Sequence, residues 1–195
     1  MTTSTQEGRV ALAASRPSSK LRDLIVLALA AAAFAASLVM FRRAVGFASP
    51  WFGVMAMLSV LGLIALARPL FLLKLPDFLR KNRGWETTGR LYKVVGVQRF
   101  GALLRRTPLR YLNRFVYLTR SAPPSVVQAH VESAEAAHVL AAGLLIPHMV
   151  YACIQKWWGA VVWLTIVQVI GNLYPILHLR WVRVRFDRFQ GRMAR

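Results

Sequence analysis

Four apolar blocks, each close to the length of a bilayer crossing, decide what this chain can fold into. A helical span needs roughly 17–25 predominantly apolar residues to cover ~30 Å of hydrocarbon. Leu24–Phe41 carries no charge, and Trp51–Leu75 carries only Arg68 and Lys74 near its end. Val131–Cys153 and Trp157–His178 are apolar over most of their length. These residues form continuous blocks instead of recurring with a period of 2 or 3.6, so the chain reads as all-α: an integral membrane protein with about four transmembrane helices. The spans fall near residues 24–41, 51–72, 131–153 and 157–178. With 56% apolar residues among 195 and a mean hydropathy of +0.45, a soluble domain is a poor fit. The first block is longer than a signal-peptide core and reads as a span. Pro69 should end or kink the second helix, because it lacks an amide proton and clashes with the preceding turn.

Charge sets the orientation. The chain has 26 Lys and Arg against 7 Asp and Glu, a formal net charge of +19. The cations flank apolar blocks, as membrane loops require, which argues against nucleic acid as the partner. They collect between residues 76 and 128, where Arg80, Lys81, Arg90, Lys93, Arg99, Arg105, Arg106 and Arg110 alternate with Leu91, Tyr92, Phe100, Leu103 and Tyr111. That mixture predicts amphipathic helices at the interface with anionic headgroups, with Thr107 and Pro108 as an N-cap and first turn. A second cluster follows the fourth block: Arg180, Arg183, Arg185, Arg188, Arg192 and Arg195. The positive-inside rule puts loop and tail on the cytoplasmic side, with both termini, and the turns at 42–50 and 155–156 outside. Residues 1–20 read as a disordered arm, 21–186 as one membrane domain and 187–195 as a basic tail. The single cysteine, Cys153, excludes an intramolecular disulfide framework.

The third block opens with HVESAEAAH, placing His130, Glu132, Glu135 and His138 where lipid should be. Ionisable groups at membrane depth cost roughly 2.5–3.5 kcal/mol each on insertion scales, so they face a cavity or one another. Glu135 and His138 are three apart on one helical face, where a carboxylate can orient an imidazole for general-base work. In the fourth block, Gln168, Asn172, Pro175 and Leu179 form one stripe, and Pro175 frees the carbonyl of Gly171. The short turn at Gln155 and Lys156 makes a hairpin, and His138 and Asn172 each lie about 17 residues from it, ~25 Å along either helix. Glu135, His138, Asn172 and Arg180 can therefore meet. Three other readings compete: polar glue between helices, a metal site built on Glu-x-x-His, and a variant of the H-x4-D acyltransferase box from His130 and Glu135. His148 and His178 stand alone and read as structural.

At these residues the sequence resembles the glycosyl-4,4'-diaponeurosporenoate acyltransferases of bacterial carotenoid biosynthesis. The similarity rests on LYKVVGVQRFGALLRRTP (Leu91–Pro108), on Glu132, Ala134, Glu135, His138 and Pro147, and on Asn172, Pro175, Arg180, Trp181, Arg183 and Arg185. Leu179 and Val182 stand where the family pattern has Gln and Asn. The resemblance implies transfer of a fatty acyl group from an acyl thioester, acyl-CoA, to a sugar hydroxyl of a glycosylated carotenoid or related glycolipid in the bacterial cell membrane. His138, Glu135 and Asn172 would be catalytic as base, orienting carboxylate and oxyanion donor. Arg180, Arg183, Arg185 and Glu132 would bind substrate. It implies membrane lipids, acyl-CoA and a lipid-resident glycosyl acceptor as partners, with no bound cofactor and no metal. A non-catalytic protein that binds anionic lipid or a partner enzyme, or another small integral enzyme acting on isoprenoid lipids, remains as the alternative.

Overall fold

The computed structural model describes residues 17–67, 70–81, 86, 88–113 and 123–193. Most of the N-terminal arm, Arg68, Pro69, residues 114–122 of the basic loop and Arg195 lie outside the described residues, as does the side chain of Arg192. Long helices α1 (Pro17–Val45) and α2 (Pro50–Ala67) come first, then three short ones, α3 (Asp77–Arg80), α4 (Arg90–Val94) and α5 (Val97–Arg106). A 3-10 helix at Pro108–Asn113 precedes α6 (Pro124–Ile154). Helix α7 (Trp158–Gln168) continues through one π turn, Val169–Leu173, into α8 (Tyr174–Met193). Four stretches are long and apolar enough to cross a membrane: Lys20–Val45, Pro50–Ala67, Ser125–Ile154 and Trp158–Phe189.

Apolar side chains distribute over this bundle according to what each helix has to cover. The most apolar window of α1 holds no buried residue, so its surface is left for lipid. It packs chiefly on α2, where Gly62 lets the Phe34 ring approach. Helix α2 leans on α6 and α7, and Met57, Ala141, Leu145 and Leu164 form the core between them. A second core, Val127, Val131, Ala134 and Leu179, joins α6 to α8. The α6–α7 turn forces Lys156 to a φ of 59°, an unusual backbone for a residue with a Cβ.

The expected boundaries shift in three places, each for a local reason. Helix α2 stops at Ala67, short of residue 72, and Phe71–Pro76 runs without helix. A residue before proline disfavours the helical region, and Leu75 precedes Pro76. The extended backbone finds partners on α6 instead: Leu73 N donates to Ser133 Oγ (3.1 Å) and Leu75 N to Glu132 Oε1 (3.3 Å). Helix α6 starts at Pro124, well before residue 131, because proline suits a first turn that needs no amide donor. The last helix runs on to Met193, so residues 187–193 extend α8 and are not a separate tail.

The basic loop is structured where it is described. Helix α5 buries Val97 and Gly101 and shows its arginines to the outside, the expected amphipathic pattern. Thr107 behaves differently from the expectation. Its hydroxyl donates back to Leu104 O (3.2 Å), and the segment after it is a single short 3-10 helix. Two glycines let this layer sit down on α8. Gly89, at φ +71°, would place a Cβ 2.7 Å from the Trp181 ring, and a Cβ on Gly101 would run into His178. Tyr174 completes the attachment by donating to Val95 O at 3.0 Å.

Candidate active site at the basic end of the bundle

The loop end of the bundle gathers half of the chain's described acids. Of seven Asp and Glu residues, Glu86, Glu132 and Glu135 converge there and meet Arg80, Arg180 and Arg183. Glu135, on α6, is 1% exposed and accepts from Arg183 Nε at 3.1 Å and from Nη2 at 3.4 Å, with Arg180 Nη1 at 3.9 Å. Arg180 also pairs with Glu86, which is itself 1% exposed, and donates to Lys81 O at 3.2 Å. Arg183 donates its other branch to Arg80 O. The two guanidiniums thus cap the C-terminal end of α3 while neutralising carboxylates from α6 and from the loop. Planar, multi-donor guanidinium suits this double duty where an ammonium would not.

Glu86 carries the network outwards. Tyr92 on α4 is fully buried, stacks on Trp181 at 5.1 Å between ring centroids, and donates to Glu86 Oε1 at 3.5 Å. Burial, and next the Glu86 charge, push its phenol pKa from 10.0 up to about 12. The raised pKa means that the protonated phenol is favoured by the fold. Its stabilising contribution is complete below pH 10 and disappears as pH rises through 12. The thermal midpoint of the protein in detergent should therefore fall between pH 10 and pH 12, and fall less steeply in Tyr92→Phe. Equal slopes for the two proteins would contradict this role.

A second, uncharged chain of hydrogen bonds runs deeper between α6 and the α7–α8 stack. It starts at a backbone carbonyl, which can only accept: Gln168 Nε2 donates to Ala142 O at 2.9 Å. That fixes the amide, so Gln168 Oε1 accepts from Asn172 Nδ2 at 2.6 Å. Asn172 Nδ2 also faces Met57 Sδ at 3.2 Å, and Asn172 Oδ1 lies 3.4 Å from His138 Nδ1. Oδ1 has no proton to give, so His138 Nδ1 is the donor in this contact, and in the neutral ring the lone pair then lies on Nε2. An imidazole in this tautomer is equipped to take a proton. Asn172 is fully buried within the π turn, immediately ahead of Pro175. Proline denies Gly171 its usual donor, and the i→i+5 register is how the helix absorbs that loss; π turns recur at functional sites.

The depth count along the hairpin is met where His138 contacts Asn172, while Glu135 and Arg180 meet in a separate, charged network on the same two helical arms. The partners differ from those expected. Glu135 is engaged by two arginines, and Asn172 is the residue bonded to His138 Nδ1. Both amide protons of Asn172 have protein acceptors, so its geometry is that of a positioning group. Glu132 accepts from Leu75 N and sits 3.7 Å from Arg80. Among the arginines assigned to substrate, Arg180 and Arg183 are enclosed while Arg185 is exposed. Glu86 and Tyr92 were not singled out from sequence, although Glu86 is one of only two acids between residues 76 and 128.

A profile of the glycosyl-4,4'-diaponeurosporenoate acyltransferase family matches residues 76–192, more than half of the chain. The chain belongs to that family. This is a family of acyltransferases of carotenoid biosynthesis, and the match begins before Leu91, taking in Arg80 and Glu86. Both carboxylates of the Arg180 pairings and both arginines therefore lie within the matched stretch, whereas α1 and α2 lie before it. Comparison with curated proteins and with solved structures gives no match. Leu179, where the expected pattern has Gln, is buried in the apolar α6–α8 core, and Val182, where it has Asn, packs against that same core while lining a cavity between α5 and α8. Another cavity, about 440 Å³ near the α6–α7 end, is apolar and aromatic apart from His148 and the Tyr151 hydroxyl.

Proposed function

We propose that this protein transfers a fatty acyl group from an acyl thioester to a sugar hydroxyl of a glycosylated carotenoid or related glycolipid. The observation that supports the reading is the contact of His138 Nδ1 with Asn172 Oδ1, at the end of a hydrogen-bond chain anchored on a backbone carbonyl. In the reaction, His138 Nε2 removes the hydroxyl proton as the sugar oxygen attacks the thioester carbonyl. The C–S bond then breaks, the proton passes to the departing thiolate, and an ester and a free thiol result. Glu135, Arg180, Arg183 and Glu86 hold the basic layer over α8, and Arg185 is left to face the donor. Orienting the imidazole through the uncharged Asn172 amide suits a site in a spanning helix, where each further ionised group adds a desolvation cost.

We also infer that the protein is multi-pass in a bacterial cell membrane with both termini cytoplasmic. The basic layer and the arginines of α8 then face anionic lipid and a water-soluble donor, while the acceptor arrives from the bilayer. The test is lipid extraction from carotenoid-producing cells with and without the gene, followed by mass analysis. Expression should add species heavier by one fatty acyl group to the glycosylated pool. An unchanged profile under strong expression would remove the catalytic reading and leave a lipid- or enzyme-binding protein. Labelling of a cysteine placed at Lys156, in a Cys153→Ser background, should succeed from outside with an impermeant reagent. Protection there would reverse the orientation.

A further inference from the structure

With Arg180 and Arg183 engaged by carboxylates and carbonyls, the cations free to meet a ligand lie elsewhere. A cavity of about 320 Å³ opens between α5 and α8, lined by Gln98, Gly101 and Arg105 on one side and by His178, Trp181 and Arg185 on the other. Its size falls within the range of small-molecule sites. Arg105 and Arg185 are both exposed, and neither forms an ion pair among the described residues. No carboxylate lines the cavity among the described residues. The nearby acids are used: Glu86 and Glu135 by arginines, and Asp187 by Gln128 Nε2 at 2.9 Å. Gly101 opens the floor, since any side chain at this position would collide with the His178 ring. Two exposed guanidiniums on facing helices, with the Gln98 amide on the same wall as Arg105, make a site whose electrostatic complement is a multiply charged oxyanion.

We infer that this cavity binds phosphate, with Arg105 and Arg185 contacting it from α5 and α8 and Gln98 donating from its amide. The inference rests on the acyl-transfer reading for its source. A thioester carried on coenzyme A brings a diphosphate and a phosphomonoester, while an anionic phospholipid brings a phosphodiester, and both present the same oxygens.

The full-length protein in phosphatidylcholine nanodiscs, titrated calorimetrically with coenzyme A, decides between the sources. Coenzyme A should bind, and Arg105→Gln/Arg185→Gln should weaken it at least tenfold with little change in melting, because both side chains are exposed. If coenzyme A does not bind but phosphatidylglycerol nanodiscs raise the midpoint of the wild type and not of the variant, the phosphate is a headgroup. If neither coenzyme A affinity nor the phosphatidylglycerol effect differs between the two proteins, the proposal is overturned. Turnover separates this outcome from failure of the enzymatic reading. A variant with the wild-type KM for the thioester refutes the cavity and leaves acyl transfer standing. Arginine-dependent binding in a protein that turns over no thioester does the reverse.

Discussion

Replacing Glu135 by glutamine should destabilise the protein by about 3–5 kcal/mol, because it leaves the buried Arg183 guanidinium without its counter-ion and Arg180 with Glu86 alone. Arg183 is 3% exposed and Glu135 1%, so water cannot substitute for the missing charge. The same loss is expected in Arg183→Gln, which also removes the donor that caps α3 at Arg80 O. The two effects should not add. Once one partner is gone, removing the other relieves a buried charge, so Glu135→Leu/Arg183→Leu should be more stable than either glutamine variant. Thermal unfolding in detergent gives the midpoints, and limited proteolysis reports on the basic layer: segments α3 to α5 should become cleavable before the long helices do. Raising the salt to about 1 M should leave the difference intact, as screening acts weakly on buried pairs. Wild-type melting and wild-type protease resistance in Glu135→Gln would show that the ion pairs contribute no net stability.

How much of this was legible in the sequence follows from the range of each interaction. The spans were readable because hydropathy is a sum over neighbours, and the four apolar stretches need no partner to be recognised. The meeting of His138 with Asn172 was readable as well, since a tight turn converts a count of residues into a depth. Partner choice was not. Nothing near Arg183 in the chain distinguishes a guanidinium bonded to Glu135, 48 residues away, from one directed at a donor phosphate. Arg180 reaches Glu86 across 94 residues. A chain with +19 formal charge and seven acids offered one usable signal: acids this scarce are worth tracing individually, and Glu86 would have been found that way. His178 read as structural for want of a neighbour in sequence, yet it forms part of a cavity wall supplied jointly with α5. The extended run at Phe71–Pro76 was hidden by its own hydropathy, which resembles helix until Ser133 and Glu132 are seen to take its amide protons.

His138→Ala should lower kcat by about 10²–10⁴-fold, the span over which a positioned base accelerates proton removal. His138 is only half-buried, so the melting midpoint should fall less than in the Glu135 variants. Added imidazole should restore part of the lost rate, because the vacated space lies beside Asn172 Oδ1, which can hold the nitrogen donor. Asn172→Leu probes the relay without touching substrate. Asn172 is fully buried, and its loss frees His138 to adopt the other tautomer, so kcat should fall while KM for the thioester holds. Gln168→Leu acts one step further back, through the amide that orients Asn172, and its effect should be smaller in the same direction. A merely structural role for the three residues would lower stability and raise KM together, with no imidazole rescue. Wild-type turnover in His138→Ala would end the general-base assignment altogether.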